Sequence, residues 1–222
     1  MARYIIKFCK GEEVKFISHL DLMRCMQRAL RRAKVDVSYT KGFNPHAQLS
    51  FATPLPVGIS SRCEYMSIKT DGEIDAEKLV SRLNRALPQG LEIISAAEVD
   101  DNYPSLMSKV RAALYEIALT GVDREKFTDD IFDLLMKEPS VEVTKKSKNG
   151  EKLIDIKGMI LNIKLERVDN DEIIFEALLS SGINNNLNPI LLTDALRSHI
   201  ESLGDSKIKY ILKLETLMGG DH

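Results

Sequence analysis

Between Ser38 and Ser50 the chain reads Ser38-Tyr39-Thr40-Lys41-Gly42-Phe43-Asn44-Pro45-His46-Ala47-Gln48-Leu49-Ser50. A cation, an imidazole, a carboxamide and two aromatic rings stand together, punctuated by a glycine suited to positive φ and a proline that pre-sets the backbone. Such a loop presents polar groups to a ligand in a fixed arrangement. Just upstream, Arg24, Arg28, Arg31 and Arg32 fall within about 100° of one another if residues 22–34 are helical. Arg24, Arg28, Arg31, Lys41 and His46 suit phosphate contacts, Tyr39 and Phe43 offer ring faces for one or two bases, and Asn44 both donates and accepts. The competing reading makes the arginines a solvated helix face, with Asp21 and Asp36 as partial partners.

His19 and His46 are the two candidates for acid–base work. On a helical wheel His19 falls in the first turn on the core side, which points to packing or capping; His46 sits in the loop. A histidine pair can cleave RNA by general acid–base transfer, but no third partner is identifiable, so a non-catalytic role is favoured. His199 is mid-helix, His222 is terminal, and neither joins a metal-ligand spacing; no metal and no cofactor is assigned to this chain. Cys9, Cys25 and Cys63 are odd in number and widely spaced, with no CxxC pair, and read as reduced thiols of a cytoplasmic protein.

Three further segments read as structural before functional. The hydroxyls of Ser60 and Ser61 close the Pro54-Leu55-Pro56-Val57-Gly58 turn. Gly182–Asn188 is a long turn ending in an N-cap. Lys145, Lys146, Lys148 and Lys152 decorate a hairpin signalled by Asn149-Gly150.

The elements that must position these residues follow from periodicity. Arg3–Cys9 alternates as a strand. Ser18-His19-Leu20-Asp21 is a shortened capping box opening a helix to about Lys34, whose buried stripe is Leu22, Met23, Met26, Ala29, Leu30 and Ala33. Strands near 48–52 and 63–69 flank a Pro-rich turn, Asp75 starts a second helix, and 91–97 is a strand. The order β-α-β-β-α-β is the signature of a ferredoxin-like sandwich. After Asp100-Asp101-Asn102-Tyr103-Pro104-Ser105 the pattern begins again, with Asp123 capping a helix that carries Phe127, Ile131, Leu134 and Leu135, and with Pro189 opening the last helix. The expectation is an α+β chain of two tandem ferredoxin-like sandwiches, the second with an extra hairpin: a basic domain over 1–100, a linker over 101–109 and an acidic domain over 110–218.

The composition supports that scale. At 222 residues and 44% hydrophobic content the chain can bury two small cores. No run approaches the ~20 apolar residues of a membrane span, and the charged, alternating N-terminus lacks a signal peptide's apolar stretch. The formal net charge of −2 argues against a wholesale polyanion binder. Residues 1–70, however, hold 12 Lys/Arg against 5 Asp/Glu, a local surplus of +7. The absence of Trp limits any extended stacking surface.

Phe16-Ile17-Ser18-His19-Leu20-Asp21-Leu22-Met23-Arg24, Arg28-Ala29-Leu30-Arg31-Arg32-Ala33, Gly42-Phe43-Asn44-Pro45-His46, Pro54-Leu55-Pro56-Val57-Gly58 and Glu64-Tyr65 closely resemble the radical-SAM-linked protein family. That family is a bacterial domain of unknown function encoded beside or fused to a radical SAM protein. The likeness is specific over residues 3–70 and weaker beyond. It implies a cytoplasmic bacterial accessory protein whose partner is a radical SAM protein and whose substrate is RNA or ribosome-related. It assigns no catalytic residue and no cluster in this chain. The alternatives are a protein-interaction adaptor docking on the radical SAM enzyme and an RNA-processing enzyme using His46.

Overall fold

The structure is a computed structural model and describes residues 1–147 and 150–219. It is a mixed α/β protein whose chain divides into two compact units, Met1–Val110 with Met218–His222, and Arg111–Leu217.

The first unit begins with β1 (Ala2–Lys10), whose strict alternation turns Ala2, Tyr4, Ile6, Phe8 and Lys10 inward. A short 3-10 turn over Glu12–Val14 leads to α1 (His19–Arg32). The shortened capping box forms: Ser18 Oγ accepts from the Asp21 N–H at 3.2 Å and donates to the Asp21 carboxylate at 2.7 Å. The strands β2 (Leu49–Phe51) and β3 (Ser60–Thr70), the helix α2 (Ala76–Ala86, N-capped by Asp75) and β4 (Leu91–Val99) follow. β1 lies antiparallel between β3 and β4, and β2 adds to β3. Tyr4, Ile6, Phe8, Met66 and Ile68 from the strands meet Leu22, Met26 and Leu30 of α1 and Leu79 and Leu83 of α2 in one core. Each such side chain contributes roughly 1.5–3 kcal/mol of burial.

The linker expectation needs correction here. Residues 101–109 are not a bare linker: Ser105 caps a one-turn helix, α3 (Leu106–Lys109), and Leu106 packs with Ala52 and Val110 inside the first unit. The charge asymmetry also shrinks when counted over 1–110, because residues 71–110 carry 8 Asp/Glu against 4 Lys/Arg; 16 basic against 13 acidic side chains leave +3.

The second unit contains β5 (Val110–Thr120), α4 (Ile131–Lys137), the hairpin β6 (Glu142–Ser147) and β7 (Gly150–Asp155), then β8 (Ile160–Asp169), β9 (Glu172–Ser180), α5 (Pro189–His199) and β10 (Lys207–Met218). Its strand order is β10-β5-β9-β8, with β6 and β7 forming a separate two-stranded sheet. The turn that Asn149 was expected to make, and Lys148 with it, lie outside the described residues, as do Gly220 and His222. Asp123 does not cap the first helix here. Its carboxylate accepts from the Glu125 N–H at 3.1 Å, which closes a local turn, and α4 starts only after Asp130. Asn188 caps α5 with Pro189 in the first turn, and the His199 ring bonds the Glu142 carbonyl at 2.7 Å. No described helix is long and apolar enough to cross a membrane.

Candidate nucleic-acid interface

Two grooves flank α1, and the four arginines divide between them. Arg24, Arg28 and Arg32 line an open groove of about 450 Å³ with Asp21, Cys25 and Pro88. Within it, Arg24 pairs with Asp21 at 3.0 Å across two exposed side chains, a contact worth little in stability. The Ser18 hydroxyl, and then Arg24, hold the Asp21 carboxyl below the ordinary carboxylate value. Arg32 points at the end of α2, where its guanidinium donates to the Ala86 carbonyl at 2.6 and 3.2 Å. Burial pushes the Cys25 thiol up, against the pull of Arg32 and Arg28, so the sulfur stays protonated at neutral pH.

Arg31 borders a different groove. With Gln27, Leu30, Lys34, Asp36 and Tyr39 it lines a second groove of about 440 Å³. Among the described residues, the side chains of Arg28 and Arg31 have no hydrogen-bonding or ion-pairing partner. The wheel that places all four arginines in one sector is correct for the helix alone. The neighbours α2 and the loop then assign them to different walls.

The loop after α1 is pinned at its base and free at its tip. Tyr39 bridges Ala47, the Thr40 N–H donates to the His46 carbonyl at 2.9 Å, and the His46 N–H donates to the Thr40 hydroxyl at 2.9 Å. Between these ties Gly42 adopts φ +136°, with no heavy atom within 4 Å of where a Cβ would stand. A side chain there meets no clash but does meet backbone strain, which glycine avoids. Phe43 is wholly exposed, an arrangement without any burial benefit, and Lys41, Asn44 and His46 are exposed around it. His19 is placed differently: half-buried, its ring meets Phe51 edge-to-face at 5.2 Å between centroids. Of the expected residues, Arg31 and Tyr39 share one groove, Arg24 and Arg28 share the other, and Lys41, Phe43, Asn44 and His46 stand on the loop.

Lys10 went unremarked in the sequence. It is 1% exposed, and its ammonium donates to the carbonyls of Lys15 at 2.9 Å and Ile17 at 3.3 Å, so it holds the turn that launches α1. Burial pulls its pKa down, and the Glu64 carboxylate opposes that. A signal was present: position 10 continues the inward row of Tyr4, Ile6 and Phe8, where a lysine is out of pattern. The Ser60 and Ser61 hydroxyls donate to Glu12 at 2.5 Å and to Glu64 at 2.8 Å, which makes them part of the same support. Lys15, and then Ser60, hold the Glu12 carboxyl below its ordinary value. Among the described residues no group of three or more His, Cys, Asp or Glu side chains is placed to hold a metal ion.

A family model described as an uncharacterised protein conserved in bacteria, DUF2344, matches residues 3–189. No curated protein matches the chain. Among solved structures, a chain in the crystal structure of a Cbf5-Nop10-Gar1 complex is similar, with TM-score 0.52 and 8% identity, over 96% of this chain and 48% of that one. A chain in the structure of an H/ACA RNP bound to a substrate RNA containing 2′-deoxyuridine has TM-score 0.48 and 8% identity, over 95% of this chain and 46% of that one. The chain thus spans about half the length of the structures it matches, and at such identity the first likeness shows the fold alone.

Proposed function

We propose that this chain, which belongs to the bacterial family DUF2344, is a non-catalytic accessory protein that binds single-stranded RNA through its first unit. Arg24, Arg28, Arg31 and Lys41 meet phosphates, Phe43 and Tyr39 stack on bases, and Asn44 and His46 make polar contacts beside them. The observation that carries the reading is the loop tip: a phenylalanine fully in solvent, flanked by Lys41, Asn44 and His46 on a backbone tied at both ends. An apolar ring without a packing partner is accounted for by a ligand with a flat face. Guanidinium groups of Arg28 and Arg31 without protein partners supply the matching positive charge.

The finer parts of the reading rest on separate supports. Each unit is taken as a ferredoxin-like sandwich because the strand orders β4-β1-β3-β2 and β10-β5-β9-β8 repeat one scheme. Action beside a radical SAM protein in the cytoplasm rests on the resemblance of residues 3–70 alone.

Filter binding of a fluorescent single-stranded RNA across a salt series tests the function. Four phosphate contacts predict a slope of about −3 in log affinity against log salt. Absence of binding at low salt, or binding insensitive to salt, removes the proposal.

A further inference from the structure

The groove at the C-terminal end of α1 is built unlike the arginine groove on its other side. Its floor is apolar, with Leu30 and Val35 buried, and Tyr39 stands at its wall with the ring half-exposed. Arg31 and Lys34 are the cationic residues of its lining. Asp36 and Asp71 are the acidic ones. The two carboxylates are not equivalent. Asp71 accepts from the Ser38 hydroxyl at 2.6 Å, whereas Asp36 is exposed and its carboxylate has no hydrogen-bond partner among the described residues.

The helix end adds an independent observation. The Val35 N–H bonds the Leu30 carbonyl and the Lys34 N–H bonds the Arg31 carbonyl, both at 3.0 Å, which is the Schellman arrangement. Its left-handed position is occupied by Lys34 at φ +52°, where glycine fits without steric cost. Lys34 holds this conformation at a steric cost that glycine would not have, and it is one of the residues that line the groove.

We propose that this groove is a nucleotide subsite for one guanosine of a single-stranded RNA, which rests on and sharpens the RNA-binding reading above. The base lies on the Leu30–Val35 floor against Tyr39, and its phosphate meets Arg31 and Lys34. Asp36 selects the base. A carboxylate only accepts, through two oxygens, and guanine alone among the four RNA bases presents adjacent N–H donors, N1–H and N2–H, on its Watson–Crick edge. Adenine, cytosine and uracil each set an acceptor beside their donor, against the carboxylate charge.

Fluorescence anisotropy of the full chain with uridine hexamers that carry one central guanosine, inosine, adenosine or uridine tests the subsite. The guanosine hexamer is expected to bind about tenfold more tightly than the all-uridine one, with inosine between them. Asp36→Asn abolishes the preference while leaving the uridine hexamer bound. Lys34→Gly weakens every hexamer about fivefold and raises Tm by about 2 °C, a combination that a merely structural lysine does not produce. If wild type binds all four hexamers equally, or Asp36→Asn keeps the guanosine preference, the subsite is overturned and RNA binding stands. If no hexamer binds at low salt, both fall.

Discussion

Lys10 sits behind Tyr4, Ile6 and Phe8 on the inward row of β1, and its ammonium is spent on the carbonyls of Lys15 and Ile17. No other donor among the described hydrogen bonds reaches the Ile17 carbonyl, and Lys15 shares its carbonyl only with the Gly58 N–H at 2.9 Å. Lys10→Met keeps the apolar stem and removes the charge. It leaves the part-buried Ile17 carbonyl without this donor, so a loss of about 2 kcal/mol is expected, read as a lower midpoint in urea unfolding. A midpoint equal to wild type shows that the lysine only fills space. The residue scale is also where sequence reading was weakest. Lys10 breaks the β1 alternation visibly, yet its role depends on a turn five to seven residues away closing back over it. The loop that carries Phe43 was legible because a glycine and a proline punctuate it; the complete exposure of the ring was not.

At the scale of elements, the helix that carries the arginines is specified locally. Ser18 satisfies the Asp21 N–H, Leu22, Met26, Ala29 and Leu30 form one buried stripe, and Arg31 and Arg32 occupy the last turn, where cations suit the helix dipole. These features depend on spacing along one segment, which is why α1, α2 and α5 and the long strands were legible. Where a side chain chose a longer-range or a competing partner, legibility ended. Asp123 closed its own turn and delayed α4, Leu106 turned a supposed linker into packed chain, and Arg32 turned its guanidinium to the Ala86 carbonyl. Ser18→Ala isolates the local contribution: it removes the cap and the bond to the Asp21 carboxylate, while Ser18 itself lines neither groove. A loss of about 1 kcal/mol is expected, measured by urea unfolding, with RNA affinity at saturation of the fold unchanged. A fall in affinity larger than the stability loss explains would show that Ser18 acts on the arginine groove through Asp21 and Arg24.

For the whole molecule the question is whether total charge or its placement governs RNA binding. The net of −2 disfavours a polyanion, and even residues 1–110 reach only +3, so no global field draws RNA to this chain. At physiological ionic strength charges are read over a Debye length of about 8 Å, which gives weight to the partnerless guanidiniums of Arg28 and Arg31 over any sum. Two variants with equal net charge separate the alternatives. Arg28→Glu with Arg31→Glu alters both α1 grooves, while Lys145→Glu with Lys152→Glu makes the same change of four units on the β6–β7 hairpin, where these lysines pair directly across the strands. Placement predicts that the first variant loses RNA affinity by at least about tenfold and flattens the salt dependence by roughly 1.4, two single-strand contacts, while the second stays within about twofold of wild type. The second variant replaces one like-charge cross-strand pair, Lys–Lys, by another, Glu–Glu, so its stability is a fair control. Equal losses in both would make the interaction a general response to charge, and the loop with Phe43 at its tip would then need a different ligand.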